Sequence, residues 1–412
     1  MCKEKENPLN FVLVGHIDHG KSTLIGRLFY DTNSLPPDKI AELKKASEER
    51  MDGEMEFAFI MDHLREEREQ GITIDTAHTF FETDKREYVI IDAPGHVEFV
   101  KNMLTGASQA EAALLIVDAE EGVGEQTKRH ANLVSMLGLE QIIVVINKMD
   151  VVGYEEAHFN TLKDSVQDFL NSINLYPKYY IPISALKGDN VANHSEKMKW
   201  YKGMTVLESL DSLENDVPPE SKGLIFPIQD VYKISGKRIA VGRIESGTLR
   251  SGMKVKVLPG GAETSVKSIE KFNETTDEAV AGESIGITTN DPIFLERGNV
   301  LCIEEKEMII GDKIGSSLIW LSKEPFRKDE KIGFRLATQE TKANITEIRE
   351  RVDSSSLEVL EEKASSINNL EIGEVEIKTK KLLAFTKFGD VKEMGRFVLV
   401  RGNDVVAGGI IT

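Results

Sequence analysis

At about 150 residues per domain, a chain of 412 residues, 40% of them hydrophobic, has room for two to three domains with real cores. Its net charge of −18 repels nucleic acid at long range unless a basic patch intervenes. No apolar run approaches the roughly 18 residues of a membrane helix, the N-terminus has no apolar targeting region, and only Cys2 and Cys302 are present. These features argue against a membrane span, a disulfide framework and a cysteine metal site. They lead one to expect a cytoplasmic protein with neither membrane nor DNA as partner.

Residues 9 to about 214 read as alternating strands and helices. Leu9–Val14 is an apolar run of strand length. It feeds Gly15-His16-Ile17-Asp18-His19-Gly20-Lys21-Ser22-Thr23, which fits the pattern Gly-x-x-x-x-Gly-Lys-Ser/Thr of a loop that wraps nucleotide phosphates. Leu24 and Leu28 then share a helical face. A strand feeding a tight loop feeding a helix aims backbone N–H groups and the positive helix end at one anion. Lys21 adds a point charge for the outer phosphates, and Ser22 offers a hydroxyl to Mg²⁺.

Asp31 to Gln70 is a charged insertion in which Asp38–Arg50 and Met61–Gln70 read as solvated helices. It ends in Gly71-Ile72-Thr73-Ile74-Asp75. The Thr73 hydroxyl is a candidate second ligand on Mg²⁺, on a loop ordered only while a γ-phosphate is present. Strands are expected at Ala77–Glu82 and Tyr88–Asp92. The second is closed by Asp92-Ala93-Pro94-Gly95-His96. There the carboxylate can hold a magnesium water, and Gly95 lets the backbone approach a γ-phosphate. Val97–Ala110 has helix length. The next strand is Ala113–Asp118.

The strand Gln141–Asn147 ends in Asn147-Lys148-Met149-Asp150. Guanine presents two donors side by side, N1–H and an exocyclic amine, and a carboxylate with two acceptor oxygens matches that edge. Adenine offers an acceptor at N1 and matches poorly, so Asp150 selects guanine. The stem of Lys148 can cover the base, and Asn147 can tie the segment to the phosphate loop. After the helix Phe159–Ile173 and the strand Tyr179–Ser184, Ser184-Ala185-Leu186 can present a backbone N–H to guanine O6. The fold class is α/β, a mostly parallel sheet with helices on both faces. The motifs gather at the carboxyl ends of its strands, where such sheets bind ligands. GTP and GDP, with Mg²⁺, are the ligands these residues imply.

Asn215–Gly223 is a breaker cluster that reads as a linker. Short β runs with Gly turns follow at Leu224–Val231, Arg238–Ile244, Met253–Leu258, Ser265–Phe272, Ser284–Thr288 and Val300–Ile303, suggesting a small barrel. A second β block contains Ser317–Leu321, Lys331–Ala337, Ala343–Arg351, Gly373–Thr379 and Arg396–Val400. The expected division is a nucleotide-binding domain at 1–217 and β-barrel domains at 222–305 and 310–412.

The phosphate loop, Glu66-Glu-Arg-Glu-Gln-Gly-Ile-Thr-Ile-Asp75, Asp92-Ala-Pro-Gly-His96 and Asn147-Lys-Met-Asp150 together resemble the translation-factor class of GTPases. That class also carries two β-barrels after its nucleotide domain, so the resemblance covers the whole chain. It implies that His96 orients the attacking water and that Ile17 and Ile72 form a hydrophobic gate over it. The catalytic set is then His96, Lys21 and Thr73. The metal set is Ser22, Thr73 and Asp92.

Two branches of the class compete. Ala343–Asp353, Leu357-Glu358 and Asn369–Glu376 resemble the large GTP-hydrolysing subunit of bacterial sulfate adenylyltransferase. Gly188-Asp-Asn-Val191, Ser195-Glu-Lys-Met198 and Trp200-Tyr201 are similar to that subunit and to archaeal and eukaryotic elongation factors alike. His16, His19 and Ala93 read as in an elongation factor. The expectation taken from the last barrel is the sulfate-activating branch. Its partner would be a small catalytic subunit that makes adenylylsulfate from ATP and sulfate. No adenylylsulfate kinase domain is expected after Thr412. The alternative is an elongation factor that delivers aminoacyl-tRNA to the ribosome.

Overall fold

The computed structural model describes residues 6–16, 18–35, 78–92, 110–136, 138–215, 223–234, 236–271, 274–303, 308–327 and 330–412. The chain forms two compact units, Met1–Asn215 and Asp216–Thr412.

The first unit contains β1 (Glu6–Val14), α1 (Lys21–Asp31), β2 (His78–Glu82), β3 (Arg86–Asp92), β4 (Ala112–Asp118), α2 (Glu125–Met136), β5 (Gln141–Asn147), α3 (Glu156–Ser172), β6 (Tyr179–Pro182) and α4 (Val206–Asp211). Its sheet runs β2-β3-β1-β4-β5-β6, parallel throughout except for the antiparallel edge strand β2. All of β4 and all but the first residue of β5 are buried, as expected for parallel strands covered on both faces. Leu24, Ile25, Leu28 and Phe29 of α1 turn one stripe to this core. Phe159, Leu162, Val166 and Leu170 do the same on α3. Each such side chain contributes roughly 1.5–3 kcal/mol through burial. α4 begins with a capping box: Glu208 N–H donates to Thr205 Oγ1 at 3.2 Å, and Thr205 N–H to Glu208 Oε2 at 2.8 Å.

The strand order places the site. β1 is flanked by β3 on one side and β4 on the other, so the chain leaves β1 at a switch point, with a crevice outside the strand ends. In register, Leu13 lies beside Asp92, Val14 beside Leu115, and Asp118 beside Asn147. The loops after β1, β4 and β5 therefore leave the sheet at one edge.

The second unit holds two rings of six strands. Lys254–Leu258, Val300–Cys302, Ile225–Ile234, Lys237–Arg243, Ser284–Thr289 and Ala262–Lys271 pair in that order, and the last closes on the first. Ile332–Leu336, Arg396–Arg401, Asp404–Ile411, Ile309–Trp320, Glu371–Phe385 and Gln339–Asp353 close likewise. Ile225, Leu258, Val300 and Cys302 of the first ring belong to the same buried cluster as the core of the second, so the two barrels share a seam.

Several boundaries differ from the sequence reading. The helix begins at Glu156 and not Phe159. β6 ends at Pro182 because the Ser184 N–H turns away to bond the Asp189 carbonyl at 3.2 Å. α2 and the strand Asp404–Ile411 were not anticipated. The expected helix Val97–Ala110 lies almost wholly outside the described residues, as does the insertion beyond residue 35.

Candidate nucleotide site

The phosphate loop closes on its own lysine. Lys21 Nζ donates to the carbonyls of Gly15 at 2.6 Å and His16 at 2.7 Å. The loop leans on β4, and a Cβ on Gly15 would stand 2.7 Å from the Ile116 carbonyl oxygen. Gly20 is the N-cap of α1 at φ 90°, a left-handed conformation in which a Cβ would also run into the Asn147 amide. Glycine is required there on both counts. The first-turn N–H groups of Lys21, Ser22 and Thr23 have no acceptor within the helix. With the helix dipole they make the loop a natural anion seat. Asp18 is exposed at φ 68°. His19 is buried. Its Nδ1 faces the Ile116 carbonyl at 3.3 Å and its Nε2 the Glu121 carboxylate at 3.0 Å, while its ring meets that of His16 edge-on.

Asn147 joins three segments. Its Nδ2 donates to the His19 carbonyl at 2.8 Å, and its Oδ1 accepts from the Ala185 N–H at 2.9 Å. Lys148, at φ 65°, extends to Asp118, with Nζ 2.6 Å from Oδ2. Asp118 is buried and also accepts the Glu120 N–H at 2.7 Å. Burial alone raises the Asp118 carboxyl, but the bonds from Lys148 and from the Glu120 N–H outweigh it and hold it below the usual carboxylate range. Asp150 is different. Its Oδ1 is buried yet has no hydrogen-bond partner among the described residues. An acceptor left open in this way fits a base edge that offers donors, which guanine does. Ser184 and Ala185 are buried, and Leu186 is 37% exposed at the rim.

Asp92 ends β3 beside Leu13, so its backbone reaches the same sheet edge. Ile17, Ile72, Thr73, Gly95 and His96 lie outside the described residues. The sequence reading missed Asp118 and Glu121, which tether Lys148 and His19. A polar residue closing an apolar strand, as Asp92 and Asn147 do, was the available signal at Asp118.

A phosphate loop tied to a base segment by one asparagine, ahead of two closed barrels, is the arrangement of a translation-factor-class GTPase, whose nucleotide is GTP or GDP with Mg²⁺. Residues 6–219 match the family described as elongation factor Tu GTP binding domain, 237–302 match elongation factor Tu domain 2, and 313–412 match the GTP-eEF1A C-terminal domain-like family. Proteins named elongation factor 1-alpha are similar over the full length. That of Methanospirillum hungatei is 38% identical over 100% of this chain and 98% of its own. That of Methanopyrus kandleri is 40% identical over the same shares. The chain belongs to the elongation factor Tu family of GTPases.

These likenesses overturn the sulfate-activating branch and its small catalytic subunit as partner. The relatives just named are elongation factors along their whole length, and the last barrel itself matches the elongation-factor domain. The misleading stretches have a structural origin. Ala343–Asp353 and Asn369–Glu376 lie on the long antiparallel pair Gln339–Asp353 and Glu371–Phe385, where Ile345 pairs with Ile377 and Ile348 with Val375. Apolar residues at such positions serve barrel closure whatever the cellular role.

Proposed function

We propose that this chain is a translation elongation GTPase that carries aminoacyl-tRNA to the ribosome in its GTP form and hydrolyses GTP to GDP and phosphate. The supporting observation is identity of 38–40% to proteins named elongation factor 1-alpha across the whole chain. The net charge of −18 does not oppose this, since it describes the sum of charges and not their distribution.

In this reading Gly15–Thr23 wraps the phosphates, with Lys21 neutralising their charge. Asp150 takes the two guanine donors, Lys148 covers the base, and the Ser184–Leu186 backbone meets O6. Ser22, Thr73 and Asp92 would hold Mg²⁺, which would supply charge neutralisation on the phosphate oxygens. His96 orients the attacking water behind Ile17 and Ile72. The work of the protein is positioning and charge stabilisation. The site of action is the cytoplasm.

The test is binding of aminoacyl-tRNA to the purified chain loaded with GTP or GDP, at two salt concentrations. Tight binding to the GTP form alone, surviving the higher salt, is the expected result. Equal binding in both forms would remove the carrier role and leave nonspecific phosphate contact.

A further inference from the structure

The stretch Gly188–Tyr201 has no part in the chemistry assigned above. It packs against both segments proposed to hold guanine. Asp189 is its centre. The Asp189 carbonyl accepts from the Ser184 N–H at 3.2 Å. Its carboxylate, 12% exposed, accepts from the Tyr154 hydroxyl at 3.0 Å and the Ser195 hydroxyl at 2.7 Å. Lys197 donates to the Tyr154 hydroxyl oxygen at 2.9 Å and lies 4.7 Å from the centre of its ring. Trp200 Nε1 donates to the Tyr154 carbonyl at 3.0 Å.

Tyr154 in turn holds the segment that carries Asp150. Its N–H donates to the Met149 carbonyl at 2.8 Å. Lys148, Gly153 and Tyr154 all hold positive φ, at 65°, 68° and 61°. Non-glycine residues adopt this conformation only where surrounding contacts impose it. Tyr154 in this conformation is held by Asp189, Lys197 and Trp200. On the other side, Asn190 Nδ2 donates to the Pro182 carbonyl at 2.9 Å, anchoring the stretch to the end of β6.

We propose that Tyr154 and Asp189 are positioning residues for guanine recognition. Their bond adds to the Asn147–Ala185 tie in fixing the spacing between the Asp150 turn and the Ser184–Leu186 segment, two groups that must reach different parts of one base edge. The proposal rests on the base-site reading given above. Neither residue is asked to touch the nucleotide.

IDP lacks the exocyclic amine of GDP and keeps its N1–H, O6 and phosphates. The ratio of GDP to IDP affinity therefore isolates the bond between that amine and Asp150. It is measured by competition binding with Mg²⁺ on the full chain. Tyr154→Phe removes only the hydroxyl, whereas Trp200→Phe removes the indole N–H together with the five-membered ring that packs near Phe159 and Tyr201. The ratio is expected to fall about fivefold in the first and less in the second, in line with a weakened bond to a charged acceptor; IDP, which keeps the N1–H and O6 contacts, also loses affinity but less than GDP does. A lower melting temperature with an unchanged ratio in both variants would reduce Tyr154 and the residues that hold it, Asp189 included, to structural support and overturn the proposal. If Tyr154→Phe does not fold, the ratio in Trp200→Phe decides. Asp150→Ala is run beside them. A wild-type ratio in that variant overturns the base-site reading itself, whereas a ratio lost there but unmoved in the other two overturns only the positioning role.

Discussion

Asp150 is distinguished from its neighbours by what it lacks among the described residues, a partner for a buried oxygen. Asp150→Asn replaces one acceptor by a donor, which suits the C2 carbonyl of xanthine. GTP affinity is expected to fall and XTP affinity to rise in competition binding; an unchanged preference would remove Asp150 from the base site. Asp118 acts one step further back, through Lys148. Asp118→Asn keeps the shape and weakens the ionic bond, so GDP dissociation followed by stopped flow is expected to quicken about tenfold. No acceleration would mean that the lysine stem is held by other contacts. His96→Ala is expected to leave GDP affinity nearly intact and slow single-turnover hydrolysis, because the role proposed for its side chain is on the water and not on ground-state binding.

Among the elements, the first barrel carries a carboxylate under stress. Burial, with Glu393 adding repulsion and Arg243 opposing it, pushes the Glu245 carboxyl up to about 7. A carboxyl raised on folding costs stability as pH climbs from its unfolded value through the folded one. Glu245→Gln is therefore expected to raise the melting temperature over wild type more at pH 8 than at pH 5; an equal gain at both would detach the effect from ionisation. The strands of this unit were largely legible, since alternation and Gly turns mark them. In the first unit, Gln141–Asn147 was placed to the residue. Asp404–Ile411 escaped because Ala407-Gly408-Gly409 has no β signature. The structure explains the glycine, since a Cβ on Gly409 would stand 2.6 Å from the Ser317 carbonyl. Such a requirement is set by a neighbouring strand and leaves no local trace. The motifs of the site were legible because each is a short run at a strand end. The tethers Asp118 and Glu121 were not, because their partners lie far away in sequence.

For the molecule as a whole, nucleotide acts on the unit that binds it. GDP at a hundredfold excess over its Kd is expected to stabilise the first unit by about 2.7 kcal/mol. Hydrogen exchange should slow across β1, β4 and β5. Equal slowing in the barrel strands would show that the two units open together. The proposed elongation role was the part least readable from sequence. A nucleotide site is written in a few side chains, while a choice of partner is spread over surfaces that no short motif records.

The barrel seam has a practical consequence. Cys302 is fully buried within it, so a thiol reagent can reach its sulfur only when the seam parts. In a Cys2→Ser variant the rate of alkylation becomes a clock for that opening. Run with and without GDP, the same clock reports whether news of the nucleotide travels as far as the barrels.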